Sequence, residues 1–294
     1  MTTGVLSKTS LFRICYSLAQ PTIIDIMQNS EKTNLIDTHC HIHDPKFFSS
    51  VEAEKALKSS VKGGVDKLIC IGTSLEDSEN AVSFANNHSK YCWASLGIHP
   101  HEAGKLNKPL IKKQLSKIDE LAKGEKVIAI GECGFDFHYN DRTDSLEPQE
   151  QLLRGQIEIA KKHKLPISFH VRDAFDDFWR VFDDYEGIEG VLHSFTDNQA
   201  NLDKALQAGL FIGINGIATF TNLDWQKQLF KEIPLENIVV ETDSPFLTPH
   251  PKRGTINTPE NVIYITKYLA ELRGEDFEKI AKATTANAKK LFKL

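Results

Sequence analysis

The stretch that decides the fold is LIDTHCHI, residues 35–42, an apolar and β-branched run with two histidines near its end. His39 and His41 stand two positions apart, and side chains two apart on a strand point to the same face. Both imidazoles could therefore bind one cation. We predict a buried strand whose end carries a metal-binding pair, although a histidine taken alone is more often a hydrogen-bonded core or surface residue.

From Leu35 onward, short apolar or β-branched runs alternate with longer amphipathic stretches, which is the pattern of repeated βα units around a parallel sheet. Eight strands are predicted, at Leu35–Ile42, Lys67–Thr73, Cys92–Ile98, Val127–Glu132, Pro166–Val171, Gly190–Phe195, Leu210–Gly216 and Asn237–Asp243. A helical pattern follows each strand, at Val51–Lys62, Glu76–Asn87, Pro109–Ala122, Pro148–His163, Ala174–Asp183, Gln199–Ala208, Leu223–Lys231 and Thr258–Leu272, and Asp276–Phe292 is an extra terminal helix. Eight such units predict an α/β fold, the (β/α)8 TIM barrel. An open doubly wound sheet is disfavoured, because no GxGxxG sequence follows the first strand.

Length and composition fit a single barrel domain, predicted at residues 35–294. The 294 residues are 40% hydrophobic, enough for one large core, and a mean hydropathy of −0.31 without a long apolar run predicts no membrane span. Five cysteines without CxxC spacing favour a reducing cytoplasm over a disulfide framework or a thiolate zinc site. A net charge of −5 argues against the broad basic surface that grips duplex DNA, so any nucleic-acid contact must be local. The oligomeric state is left open, and a monomer is compatible with the sequence.

Residues 1–34 differ in character from the rest of the chain. They are rich in serine and threonine, and no acidic residue precedes Asp25. Their apolar run, Leu11–Ala19, is interrupted by Arg13, which argues against a secretory signal, while a transit peptide stays open. We expect an N-terminal extension that is either a disordered tail or the product of an upstream start codon, because Met27 lies only eight residues before the first strand.

Residue types that bind metals collect at the carboxyl ends of the predicted strands. They are His39 and His41 on the first strand, Glu132 on the fourth, His170 on the fifth, His193 on the sixth and Asp243 on the eighth. In a parallel barrel these ends converge on one mouth. Four imidazoles and two carboxylates gathered there would carry a large uncompensated polar cost unless cations bound to them. Mixed nitrogen and oxygen ligands suit zinc, manganese or similar ions, and the fourth-strand carboxylate could bridge two ions about 3.5–4 Å apart.

Six ordered motifs resemble the successive signatures of the TatD family of deoxyribonucleases. They are Asp37-Thr38-His39-Cys40-His41, Gly97-Ile98-His99-Pro100, Gly131-Glu132-Cys133-Gly134-Phe135-Asp136, His170-Val171-Arg172-Asp173-Ala174, His193-Ser194-Phe195 and Glu241-Thr242-Asp243-Ser244-Pro245. With the closing segment at residues 284–288, the resemblance extends from about Leu35 to Phe292. It implies a metal-dependent nuclease on a barrel, with two divalent ions, zinc, manganese or magnesium, bound by His39, His41, Glu132, His170, His193 and Asp243. Cys133 stands where the family usually has an aliphatic residue, and we expect a packed thiol there, with Asp136 supporting a ligand histidine.

The resemblance also implies a reaction. DNA is the expected substrate, trimmed as a single strand or from a strand end, so that the enzyme would be an exonuclease. We expect water activated by the cations to attack phosphorus while Asp243 accepts a proton and Arg172 or His99 stabilises the phosphate charge. Two alternatives stay open: a barrel that hydrolyses a small amide, lactone or ester, and a barrel that binds metal without turnover. Glutamate rather than a carbamylatable lysine on the fourth strand favours the nuclease.

Overall fold

Eight parallel strands form the centre of the protein. The computed structural model describes residues 34–138 and 142–294, and every predicted strand is present in those ranges. The strands are β1 (Leu35–Cys40), β2 (Val65–Ile71), β3 (Cys92–Leu96), β4 (Val127–Asp136), β5 (Ile167–Arg172), β6 (Gly190–Leu192), β7 (Phe211–Ile214) and β8 (Ile238–Val240). They are hydrogen-bonded in chain order, and a bridge from Cys40 to Ser244 brings the end of the series back to its beginning. The predicted (β/α)8 TIM barrel is confirmed.

The predicted N-terminal extension, residues 1–34, lies outside the described residues apart from Asn34. The division of the chain into that extension and a barrel domain at 35–294 therefore stays a prediction.

Helices connect successive strands, as expected of βα units. They are α1 (Ser50–Lys62), α2 (Leu75–Asn87), α3 (Lys108–Leu121), α4 (Arg142–His163), α5 (Phe175–Phe182), α6 (Gln199–Gln207), α7 (Ile217–Phe220), α8 (Asp224–Glu232), α9 (Val262–Arg273) and α10 (Phe277–Phe292). Among the described ranges no helix combines the length and the apolar character that crossing a membrane requires.

Two helix predictions need correction. Helix α4 begins at Arg142 and contains Pro148, where the sequence predicted a start at the proline. The additional turn packs Leu146 against the core, which offsets the backbone hydrogen bond that the proline cannot donate. The predicted helix Thr258–Leu272 instead opens with a 3₁₀ turn at Pro259–Asn261 before α9 begins.

Helix α10 closes the amino end of the barrel. One apolar cluster combines side chains from strands all around the barrel with one face of this helix, and its members are Ile36, Ile69, Ile71, Ala129, Val191, Phe211, Val239, Ala288, Leu291 and Phe292. Asn287 on the same helix donates hydrogen bonds to the carbonyls of Leu235 and Ile238, at 2.8 and 2.7 Å. This end of the barrel is therefore apolar and structural, and the polar chemistry lies at the other end.

The seam between β1 and the segment after β8 is held by a buried carboxyl group. Asp37 is fully buried and accepts hydrogen bonds from the backbone nitrogen and the hydroxyl of Thr242, at 2.8 and 2.6 Å. Burial raises the pKa of the Asp37 carboxyl to about 8, although the hydrogen bonds from Thr242 lower it. Beside this pair, the backbone N–H of Asp243 donates to the carbonyl of His39 at 2.8 Å. The two ends of the barrel chain are thus locked together at the mouth.

Most strands end earlier than the sequence predicted, and the reason lies at this mouth. Strand β1 ends at Cys40 and β8 at Val240, so His41 and Asp243 come after the last ladder residue of their strands. The chain turns out of the sheet at these points, which directs the side chains into the space above the barrel rather than into its packed interior.

Strand β4 behaves in the opposite way and runs beyond its predicted end to Asp136. Gly134 allows this, because a Cβ atom there would lie 1.9 Å from the carbonyl oxygen of His170 on β5, and its φ of +154° is a conformation that other residues rarely adopt. Strands β4 and β5 therefore approach closely where Glu132 and His170 meet. Cys133 between them is fully buried in the core, as expected for a packed thiol.

Candidate metal centre

Glu132 lies at the centre of a cluster of imidazoles at the barrel mouth. Its Oε2 atom lies 3.3 Å from His39 Nε2, and its Oε1 atom lies 2.6 Å from His170 Nδ1 and 3.7 Å from His193 Nε2. The side chain is 6% exposed, so the carboxylate is almost removed from water. One acidic group thus contacts rings that three separate strands bring to the mouth.

Asp243 joins the same cluster through the histidine pair of β1. Its Oδ1 atom lies 3.3 Å from His41 Nε2 and 3.7 Å from His39 Nε2. All six residues predicted as metal ligands are therefore brought together, within a few ångströms of one another. Asp243 also adopts the left-handed backbone conformation, with φ of 55°. Aspartate tolerates this conformation better than most residues do, and such positions cluster at functional sites.

The ring orientation of two of these histidines is fixed from outside the cluster. His41 Nδ1 lies 2.9 Å from the carbonyl oxygen of Ile71, which can only accept, so Nδ1 carries a proton and Nε2 is the nitrogen that faces the centre. His193 Nδ1 lies 2.8 Å from Glu241 Oε1, an ion-pair distance, although the N–H does not point at that oxygen with hydrogen-bond geometry. A carboxylate or carbonyl behind a histidine is the usual support of a metal-binding imidazole.

The buried nitrogens of His39 lack hydrogen-bond partners, which indicates that the cluster is built to bind cations. His39 is fully buried, its ring stacks on His193 at 3.5 Å, and neither of its nitrogens makes a hydrogen bond with acceptable geometry. A buried polar atom without a partner costs free energy that a bound cation would recover. The donor set of imidazole nitrogens and carboxylate oxygens suits first-row divalent ions. Among the described residues, four groups have ligand atoms that lie within 4.8 Å of one another: His39, His41 and Glu132; His39, His193 and Asp243; His99, Glu132 and His170; and His99, His101 and Asp136.

The ionisation of the cluster couples imidazoles to carboxylates. Burial lowers the pKa of His41 and of His170, but the hydrogen bonds that His41 donates to Asp243 and that His170 donates to Asp136 and Glu132 outweigh it and raise both pKa values to about 9. Burial likewise opposes ionisation of Glu132, yet the surrounding histidines hold its pKa well below the usual range. Protons on the imidazoles thus balance the acids, and a cation would have to displace these protons to bind.

Asp136 supports His170 from the side away from Glu132. Its Oδ2 atom lies 3.0 Å from His170 Nε2 and 3.0 Å from His101 Nε2. The backbone N–H of His138 donates to the other carboxylate oxygen at 2.8 Å, which fixes the group. The predicted supporting contact of Asp136 with a ligand histidine is present in this geometry.

His99, predicted to contact phosphate, lies beside the cluster as a neutral donor. The backbone N–H of His101 donates to His99 Nδ1 at 3.1 Å, so the ring proton is on Nε2, which lies 3.5 Å from Glu132 Oε1. Burial and the nearby His170 lower the pKa of His99 to about 4, which keeps the ring uncharged at neutral pH. Arg172, the other predicted phosphate contact, is exposed at the end of β5, two residues after His170 and on the same strand face.

Glu241 belongs to the last of the six sequence motifs, but no role was predicted for it. The structure places its buried carboxylate behind His193, and the backbone N–H of Ser194 donates to the same Oε1 atom at 2.7 Å. Gly213 makes the space, because a Cβ atom there would lie 2.6 Å from Glu241 Oε2. Glu241 stands two residues before Asp243, and that spacing was a signal that both acids serve one face.

Comparisons with known proteins agree with this geometry. A family model described as TatD related DNase matches residues 36–293. A metal-dependent hydrolase of Bacillus subtilis, YabD, is 33% identical over 262 residues, covering 88% of this chain and 99% of that protein. A Pectobacterium carotovorum protein described as a 3′-5′ ssDNA/RNA exonuclease, TatD, is 32% identical over 250 residues, covering 83% of this chain and 94% of its own. The crystal structure of YjjV, a TatD homologue from Escherichia coli K12, superposes with a TM-score of 0.80 at 30% identity, over 90% of this chain and all of that one.

Proposed function

Since this chain belongs to the TatD-related DNase family of metal-dependent hydrolases, we propose that it is a nuclease that removes nucleotides from the ends of single-stranded nucleic acid with two divalent cations. The observation that carries the proposal is the central position of Glu132, whose two oxygens face imidazoles from different strands. A carboxylate whose two oxygens each face metal-binding imidazoles is suited to bridging two ions.

One ion would be held by His39, His41 and Asp243, the other by His170 and His193, with Glu132 shared between them. Manganese, zinc and magnesium are the candidates, and the four imidazoles favour the first two over magnesium, which prefers oxygen ligands. Divalent cations at this position would supply Lewis-acid stabilisation of phosphate charge and lower the pKa of water so that attack occurs near neutral pH.

The chain's own residues have separate tasks in this proposal. Asp243 accepts the proton of the attacking water, because its carboxylate is ionised and lies among the ligands. His99 donates its Nε2–H to a phosphate oxygen, a contact that needs the neutral tautomer fixed by the backbone of His101. Arg172 at the rim offers positive charge to the same phosphate or to its neighbour.

We propose the ends of DNA strands as the substrate and the ends of RNA strands as a second substrate, because relatives at about one-third identity are described as acting on both. The net charge of −5 supports a short contact of one or two phosphates rather than a grip along a duplex. Glu132 at the fourth strand, in place of a carbamylatable lysine, favours this reaction over hydrolysis of a small amide or lactone. We propose the cytoplasm as the location, because an odd number of cysteines without CxxC spacing does not fit a disulfide framework.

An end-labelled single strand of DNA tests the proposal directly. We expect stepwise shortening of the strand with Mn²⁺, arrest by a chelator and recovery when metal is restored. Glu132→Gln should remove activity, whereas Glu120→Gln, a matched change at an exposed position on α3, should not. A strand that stays intact with Mn²⁺, Mg²⁺ and Zn²⁺ while a small ester or lactone is hydrolysed would overturn the nuclease assignment.

A further inference from the structure

Two aromatic side chains stand exposed beside the metal centre. Phe47, in the loop after β1, is 41% exposed, and Phe246, in the loop after β8, is 45% exposed. Their ring centroids are 5.0 Å apart and the rings are nearly perpendicular, at 80°. The neighbouring Phe48 is 6% exposed within the core, so packing of this loop is already supplied without Phe47. Exposing a paired aromatic surface costs free energy and is characteristic of a binding site.

Backbone hydrogen bonds fix the two loop positions that carry the rings. The N–H of Phe47 donates to the carbonyl of Asp44 at 3.1 Å. The N–H of Phe246 donates to the carbonyl of Asp243 at 2.8 Å, and its own carbonyl accepts from Asn257 Nδ2 at 2.6 Å. The backbone at both ends of the aromatic pair is therefore ordered before any ligand binds.

The pair adjoins a proposed metal ligand. The Phe246 ring meets His41 edge to face, with centroids 6.2 Å apart, and its backbone is bonded to Asp243. A nucleotide whose phosphate lay at the cations would have its base within about one nucleotide's length of the two rings. Lys46, which is exposed and adjacent to Phe47 in the sequence, adds a positive charge to this loop.

We propose that Phe47 and Phe246 form a stacking platform for the terminal base of the strand, an inference that rests on the proposed nuclease function. Every nucleobase has a flat π-face, so stacking would accept any sequence. A base inside a duplex is stacked on its neighbours and offers no free face until it is unpaired. The platform thus selects frayed or single-stranded ends, although the phosphate chemistry at the cations is the same for both strand types.

The test compares two single-stranded oligonucleotides, one with ordinary bases at the cleaved end and one whose last two nucleotides are abasic. For the wild-type protein with Mn²⁺, kcat/KM should be higher for the base-bearing end by about 5- to 100-fold, the range of a base stacked on aromatic rings. In Phe246→Leu, which keeps apolar bulk but lacks a flat ring, and in Phe47→Ala, this ratio should fall towards one. Phe246→Tyr should restore it. Val51→Ala, at an apolar residue that is 75% exposed on α1, is the matched control and should keep the wild-type ratio.

Each outcome separates the two claims. If the wild-type protein cleaves both oligonucleotides equally, the platform is refuted while the nuclease function stands. If it cleaves neither, the proposed function fails and the platform with it. A dimer that Phe246→Leu converts to a monomer, with the ratio unchanged, would make the pair an interface between copies and would overturn the proposal.

Binding without turnover gives an independent readout. A strand with 2-aminopurine at its end, added to Asp243→Asn protein, should lose fluorescence as the base stacks, and Phe246→Leu in that background should abolish the quenching. Undiminished quenching in that double variant would overturn the role of Phe246.

Discussion

Asp243→Asn should lower turnover far more than excess metal can restore. The asparagine keeps one oxygen that could contact a cation, but it cannot accept a proton at neutral pH. Because His41 Nδ1 is committed to the carbonyl of Ile71, the new amide would donate to His41 Nε2, 3.3 Å from the present carboxylate, and compete with metal for that electron pair. The expected loss therefore has a catalytic part and a metal-binding part.

The two parts differ in size and in their response to metal. Loss of a general base costs about 10²–10⁴-fold in kcat, or about 3–5 kcal/mol of transition-state stabilisation, and persists at saturating metal. Metal affinity should fall by more than the roughly 10–100-fold that is typical of losing a supporting residue. The part of the activity loss that comes from this weaker affinity should disappear as Mn²⁺ is raised to saturation. We would measure cleavage of an end-labelled single strand across a Mn²⁺ titration, with calorimetry for the affinity.

Glu241→Gln is the matched control for this experiment. It makes the same carboxylate-to-amide change behind His193, where the acid orients a ring and accepts no proton from water. We expect its activity to recover at high Mn²⁺, while that of Asp243→Asn does not. Recovery of Asp243→Asn to within about tenfold of wild type would refute the general-base assignment.

Three further predictions concern pH and stability. In metal-free protein the pKa values of His41 and His170 are raised from 6.5 to about 9, so their protonation should stabilise the fold fully below pH 6.5 and less as pH rises through 9. The Tm of metal-free protein, measured by calorimetry, should therefore fall across that range, while metal affinity rises because fewer protons must leave. A Tm that climbs with pH in the absence of metal would contradict these shifts. Leu291→Ala on α10 should cost about 2–5 kcal/mol in urea unfolding, because this residue is 3% exposed in the apolar cluster between the helix and the strands. The exposed Lys282→Ala should cost less than about 0.5 kcal/mol, and equal losses would refute the closing role of this helix. Deleting residues 1–28 should leave Tm nearly unchanged, and a loss of several kcal/mol would show that the segment is part of the fold.

The clustering of the predicted ligands could be predicted because it depends on two simple rules. Alternation of side chains along a strand put His39 and His41 on one face, and the convergence of parallel strand ends brought Glu132 to the same mouth. Neither inference needs a distance. The sequence therefore sufficed to place the metal-type residues on the correct end of the correct fold.

Other features depended on contacts that no local pattern encodes. The carbonyl of Ile71 behind His41 is a backbone atom and leaves no trace in residue type. The exposure of Phe47 beside the buried Phe48 depends on which of two adjacent identical residues the loop turns outward. The early start of helix α4 contradicted the preference of proline for the first turn, and packing of the preceding residues decided it.

The β1–β8 seam has a consequence for how the protein matures. His41 and Asp243 are 202 positions apart, so a ribosome has synthesised nearly all of the barrel before the second of them exists. Until Asp243 has been synthesised, a nascent chain can offer a cation only an incomplete set of the proposed ligands. We therefore expect complete metal binding, and with it nuclease activity, only after the segment that follows the last strand has joined the first strand.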